Sequence, residues 1–185
     1  MEKIWILRVV FILSSLILVL IGGWYCRLRP ENLAKFEPWP RNRLWGMILG
    51  WVALIICVPH AQVVSPGFLQ PLLWPLAIVL PVLSYFHLDY LLARSVGGLA
   101  ILGAYYYIHL SFDLHSPGAP LLAVLAWIFG LGGIWVSGKP CALRDWIRAG
   151  ARSSRWRIGS AAFLWLLAAV LLVSAIAANT PGKGI

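Results

Sequence analysis

Long apolar runs alternate with short connections along this chain, and basic residues occur at only every second connection. All but three of the fifteen Lys and Arg residues lie in or directly beside the first, third and fifth connections, whereas the second and fourth contain none. This alternation is typical of a polytopic membrane protein whose basic loops stay on the cytoplasmic side. It predicts an all-α membrane bundle of six transmembrane helices, with both termini outside.

The composition excludes an ordinary soluble domain. Hydrophobic residues make up 61% of the chain and charged residues only 11%, whereas soluble domains contain about 25% charged residues. The net charge of +9 at pH 7 could suggest nucleic acid as a partner. Because the basic residues flank apolar segments, we expect anionic lipid headgroups instead, and no nucleic acid. If the host is bacterial, the location is the inner membrane.

We predict a single transmembrane domain over residues 1–185, whose six spans can also be grouped as three helical hairpins. The spans cover residues 4–25, 44–59, 68–86, 90–110, 120–136 and 158–178. A span needs about 17–25 residues to cross about 30 Å of hydrocarbon. The second span is therefore short unless it continues through Pro59 to Val64.

The fifth connection has the pattern of an amphipathic helix over residues 141–152. Leu143, Trp146 and Ile147 recur at helical spacing on one face, and arginines occupy the other. Such a helix lies in the membrane surface and contacts anionic headgroups, or it docks an acidic partner. The alternative is that it only anchors the topology. The predicted docking residues are Arg144, Trp146, Arg148, Arg152 and Arg155.

Three of the four histidines fall on or near the predicted outer face. His60, His109 and His115 lie there together with Asp113, and the spacing of four places His109 and Asp113 on one side of a helix. Imidazoles and a carboxylate can bind a transition metal or relay protons. The alternative is that they are ordinary polar residues at helix ends. These four residues are the predicted metal ligands, and the sequence identifies no cofactor.

Small residues at helical spacing predict close helix contacts. They can serve packing within the chain or association with another one. The tryptophans predicted to lie deepest in the membrane are Trp51, Trp127 and Trp165, which must fill the bundle or a partner interface. The predicted packing residues are Gly46, Gly50, Ala100, Ala104, Ala126 and Gly130.

Function is predicted mainly from what the spans contain. Their central parts are apolar, aromatic, glycine or proline, with Ser14 and Ser15 as exceptions, which argues against ion or proton transport. The first hypothesis is a non-enzymatic accessory or scaffold subunit that packs with other membrane subunits in a complex. The second is a transporter or channel for an uncharged or lipid-like solute, since prolines interrupt the third span at positions 71, 75 and 81. The third is a metal- or cofactor-dependent enzyme that uses the outer histidines.

Overall fold

The computed structural model describes residues 2–113 and 118–177. These residues form eight α-helices joined by short connections, with two 3₁₀ turns and no strand. The predicted all-α class is confirmed. The helices are α1 (Glu2–Cys26), α2 (Leu33–Phe36), α3 (Arg43–Val64), α4 (Gln70–His87), α5 (Leu91–Asp113), α6 (Ala119–Gly138), α7 (Cys141–Arg152) and α8 (Ser154–Ala177).

Six of these helices are long and apolar enough to cross a membrane, namely α1, α3, α4, α5, α6 and α8. Their apolar segments contain 18 to 24 residues, which correspond to about 27–36 Å at 1.5 Å per residue. This is the thickness of a hydrocarbon core. The chain is therefore a multi-pass integral membrane protein.

The second span adopts the longer of its two predicted forms. It begins after Asn42, whose side-chain oxygen accepts a hydrogen bond from the backbone N–H of Trp45 at 3.1 Å. The helix then continues through Pro59 as far as Val64. A proline removes one helical hydrogen bond, a loss that membrane helices tolerate.

The helix contacts divide the chain into two compact units. The first contains the described parts of Met1–Leu33, Gly103–Gly130 and Ile147–Ile185, and α1 packs along α8 within it. The Ser15 hydroxyl donates a hydrogen bond to the carbonyl of Ala168 at 2.9 Å. Gly22 lets the α1 backbone approach the ring of Trp165, where an added Cβ would lie 2.8 Å from the indole Cδ1. Small residues therefore set the close spacing of this helix pair.

The second unit contains Ala34–Leu102 and Leu131–Trp146, and α3 packs with α4 within it. The Ser95 hydroxyl of α5 donates to the carbonyl of Gly46 in α3 at 2.6 Å. Gly97 lies against the backbone of α6, where an added Cβ would be 2.7 Å from the carbonyl oxygen of Gly133. Glycine is required at such positions because any side chain would separate the helices.

Candidate functional site

The most polar assembly in the second unit surrounds Tyr90, which lies in the tight connection between α4 and α5. Its hydroxyl accepts a hydrogen bond from Nη2 of Arg41 at 2.7 Å and another from Nη1 of Arg144 at 3.2 Å. The Arg41 guanidinium also lies over the phenol ring, 4.8 Å from its centroid. Side chains from three separate segments of the chain therefore meet at the Tyr90 hydroxyl.

The backbone of Tyr90 is in the left-handed region, with φ of 57°. A bulky residue seldom adopts this conformation, which costs about 1 kcal/mol or more and persists only where the surroundings hold it. The two arginine hydrogen bonds and the guanidinium over the ring restrain its side chain, and its carbonyl oxygen accepts a backbone hydrogen bond from the N–H of Arg94 at 3.2 Å. Strained residues of this kind concentrate at functional sites.

Two carboxylates neutralise part of the charge in this assembly. Asp89 forms a salt bridge with Arg43 at 2.8 Å, and Asp145 lies 3.3 Å from Nη2 of Arg144. Partial burial lowers the pKa of Arg144, but the adjacent Tyr90 hydroxyl and Asp145 raise it overall above its ordinary value. Its guanidinium therefore stays charged at physiological pH. We call Arg41, Arg43, Asp89, Tyr90, Arg144 and Asp145 the Tyr90 cluster.

The deep tryptophans of α3 and α8 satisfy their indole N–H groups within the chain. Trp51 donates to the carbonyl of Ile78 at 2.9 Å, and Trp165 donates to the carbonyl of Val19 at 3.3 Å. An indole N–H without an acceptor is costly in hydrocarbon. These two bonds remove that cost and join α3 to α4 and α1 to α8.

Trp127, the third deep tryptophan, behaves differently. It is the ninth residue of the 20-residue helix α6, so it lies near mid-span, and 66% of its surface is exposed. Its indole forms no hydrogen bond with any residue in the part of the chain that the structure describes. A shallow apolar depression of about 280 Å³ adjoins it, lined also by Ala123, Val124 and Ile128. The side chain therefore faces away from the rest of the first unit, and its indole N–H has no acceptor among residues 2–113 and 118–177.

The predicted metal ligands are only partly brought together. His109 and Asp113 form an i,i+4 pair on α5, with Nε2 and Oδ2 3.4 Å apart. His60 lies in α3, where Nδ1 is 3.2 Å from the carbonyl oxygen of Ile56. His115 lies outside the described residues. Within residues 2–113 and 118–177, no three His, Cys, Asp or Glu residues are grouped so that they could hold a metal ion. The four-residue site stays a prediction.

The amphipathic segment forms the helix α7, but its faces are used by the protein itself. Ile147, Gly150 and Ala151 are buried, and an added Cβ at Gly150 would lie 2.5 Å from the Tyr25 hydroxyl. Arg144 contacts Tyr90, as described above, and Trp146 and Arg148 are half-buried. The remaining predicted docking residues, Arg152 and Arg155, are exposed. Docking of this set to headgroups or to an acidic partner stays a prediction.

The structure places the small residues of the predicted packing set at contacts within the chain. An added Cβ at Gly46 would lie 2.5 Å from the backbone nitrogen of Leu92. At Gly50 it would lie 3.3 Å from the Ser95 hydroxyl oxygen. Ala126 is fully buried. These residues bring neighbouring helices close together, as small residues do in membranes.

The same packing involves α5 and α6. An added Cβ at Gly130 would lie 3.0 Å from the Cβ of Ala104, and one at Gly133 would lie 3.0 Å from the Cβ of Ala100. Sequence reasoning missed Gly97 and Gly133, although each lies three residues from a predicted member of the stripe. It also missed Gly22 and Gly150, which contact aromatic rings that are distant in sequence.

Two features of the described residues are not accounted for by packing alone: the arginine-rich Tyr90 cluster and the outward-facing Trp127. Comparison of the chain with protein-family models, with curated proteins and with solved structures finds no match. Function must therefore be inferred from these residues and their geometry.

Proposed function

We propose that this protein is a non-enzymatic accessory or scaffold subunit that packs laterally into a larger membrane complex. The observation that supports it is Trp127, which is exposed at mid-span with no hydrogen-bond partner among the described residues. Lipid tails offer no acceptor for its indole N–H, whereas a neighbouring helix offers carbonyl and side-chain oxygens. The proposed contact with the partner subunit is therefore the Trp127 face of α6.

Whether an exposed indole N–H finds a hydrogen-bond acceptor depends on how deep the tryptophan lies in the membrane. Trp127 and Trp135 lie on the same helix and are 66% and 65% exposed. Trp135 is three residues from the end of α6 at Gly138, where water and headgroups satisfy an indole, as in the aromatic belts of membrane proteins. Trp127 is eleven residues from that end, and about 12 Å along the helix from the other end. A protein acceptor is the remaining means of satisfying it.

The proposed orientation follows from the basic connections. The Tyr90 cluster and the arginines of α7 would face the cytoplasm, and both termini would lie outside, in the periplasm of a bacterial host. The supporting observation is the absence of Lys and Arg from residues 60–86 and 110–136, which contain the second and fourth connections. Basic loops resist translocation, which produces this asymmetry in inner-membrane proteins.

The experiment is affinity purification of the full chain in a mild detergent, with mass spectrometry of co-eluting proteins. We expect a different membrane protein to co-elute stoichiometrically with the wild type and with Trp135→Leu, and to be lost from Trp127→Leu. The two variants change equally exposed tryptophans of one helix, so general effects on detergent binding are matched. A wild-type chain that elutes alone, or only with further copies of itself, would contradict the proposal. Equal loss from both variants would contradict the role of Trp127.

A further inference from the structure

The Tyr90 cluster carries an arginine that no carboxylate in the described part of the chain neutralises. Arg43 pairs with Asp89, and Arg144 lies beside Asp145. Arg41 forms no salt bridge within residues 2–113 and 118–177, although it donates to the Tyr90 hydroxyl and lies over its ring. Two guanidiniums thus contact a single neutral oxygen atom, where their like charges repel. An anion placed between the two guanidiniums would attract both and so offset their repulsion.

The geometry is suited to an anion with several oxygen atoms. A guanidinium offers a planar fork of N–H donors that matches the oxygens of phosphate, and two forks converge here. The Tyr90 hydroxyl accepts from both arginines and still has its own proton to donate. The Arg41 guanidinium also lies over the phenol ring, 4.8 Å from its centroid. This contact and the hydrogen bond to the Tyr90 hydroxyl restrict where the guanidinium can lie before any ligand binds.

The cluster also lies at the depth where headgroup phosphates are found. Arg43 is the first residue of α3, Tyr90 immediately precedes α5, and Arg144 is in the first turn of α7. The helices α3 and α5 are among those long enough to span the membrane, and headgroups lie at the ends of spanning helices.

We propose that Arg41, Tyr90 and Arg144 form a binding site for a phosphate group. The ligand chemistry is a phosphate with at least two free oxygens and no cation attached to neutralise it, as in the headgroup of an anionic phospholipid or in a soluble phosphate; phosphatidylcholine differs by its choline cation, which the two guanidiniums repel. The site differs from the general attraction of basic loops for anionic membranes because it depends on two particular guanidiniums. The inference is independent of the proposed subunit function, since it concerns a single chain.

Native mass spectrometry of the purified full chain in detergent tests the site with phosphatidylglycerol and phosphatidylcholine as probes. We expect one phosphatidylglycerol to bind at least tenfold more tightly than phosphatidylcholine. Loss of a charge-assisted hydrogen bond corresponds to about tenfold or more in affinity. Arg41→Gln and Arg144→Gln should each lower phosphatidylglycerol binding by that factor. Arg29→Gln is the matched control, because Arg29 is an exposed arginine of the connection that also contains Arg41, and its phosphatidylglycerol binding should stay within about twofold of the wild type.

Further variants distinguish recognition by the guanidinium fork from attraction by charge alone and from loss of the folded state. Arg41→Lys keeps the charge but lacks the fork, so it should also bind more weakly than the wild type. Arg41 is exposed, so its variants should elute as the wild type does in size-exclusion chromatography. Inorganic phosphate, added alone in a thermal unfolding assay, distinguishes the two sources. If inorganic phosphate stabilises the wild type but not Arg41→Gln, soluble phosphate is a ligand of the site. If the wild type binds phosphatidylglycerol but is not stabilised by inorganic phosphate, the ligand is the lipid.

Two results would overturn the proposal. One is equal binding of phosphatidylglycerol and phosphatidylcholine by the wild type, with no stabilisation by inorganic phosphate. The other is a loss of phosphatidylglycerol binding in Arg29→Gln as large as the loss in Arg41→Gln, since that pattern reflects net charge rather than a site.

Discussion

Replacing Gly97 by alanine tests whether α5 and α6 approach as closely as the structure shows. A Cβ at this position would lie 2.7 Å from the carbonyl oxygen of Gly133 and 2.9 Å from the backbone nitrogen of Ser137. Both are main-chain atoms of α6, so they cannot move aside as a side chain can. The helices must separate or shift to admit the methyl group. Overpacking of this kind costs about 1–3 kcal/mol.

The adjacent glycine provides the control. A Cβ at Gly98 would meet nothing within 4 Å, so Gly98→Ala adds the same methyl group to the same helix without a clash. Alanine is favoured over glycine in a helix by about 1 kcal/mol, and this gain is common to both variants. The difference between them therefore isolates the packing cost. We expect Gly97→Ala to be less stable than Gly98→Ala by about 1–3 kcal/mol.

The assay is reversible unfolding in mixed micelles of a mild detergent and sodium dodecyl sulfate, followed by far-ultraviolet circular dichroism. The free energies of unfolding of the two variants and of the wild type are compared at the same micelle composition. Equal stability of Gly97→Ala and Gly98→Ala would refute the close approach of the two helices, whatever the stability of either variant relative to the wild type.

The same unfolding assay checks the polar contacts inside the units. Ser15 and Ser174 are both buried, but only Ser15 has a hydrogen-bond acceptor among the described residues, the carbonyl of Ala168. Ser15→Ala should lose about 0.6 kcal/mol, whereas Ser174→Ala should be neutral or stabilising; the opposite order would contradict the assigned bond. Trp51→Phe should lose about 1–2 kcal/mol because it removes the bond to the Ile78 carbonyl together with part of the ring. Wild-type stability of Trp51→Phe would mean that this bond does not contribute.

The spans could be predicted from the sequence because hydropathy is a local property of the chain and bilayer thickness sets how long an apolar segment must be. The remaining ambiguity lay at Pro59, where local rules allow either a helix end or a continuation. The structure shows the continuation to Val64. A proline costs a helix one hydrogen bond, whereas the backbone groups of residues 60–64 keep their hydrogen bonds by remaining helical at the edge of the membrane. Composition alone does not decide between these effects.

The Tyr90 cluster could not be predicted because its parts are far apart along the chain. Arg41 and Arg144 are 49 and 54 residues from Tyr90, and no motif connects them. Sequence reasoning placed Arg144 on a face directed at headgroups, since its periodicity within α7 is all that the sequence shows. Its contact with Tyr90 arises from tertiary structure. Periodicity likewise predicted the small-residue stripes but not the rings that pack against Gly22 and Gly150.

We propose that the Trp127 face of α6 contacts another protein subunit within the membrane. The most direct measurement is photo-crosslinking in intact cells, with a benzophenone amino acid at position 127 and, as the control, at position 135. We expect one discrete adduct from position 127, containing this chain and a different protein, and no such adduct from position 135. Only lipid adducts at position 127, or only adducts of two copies of this chain, would contradict it.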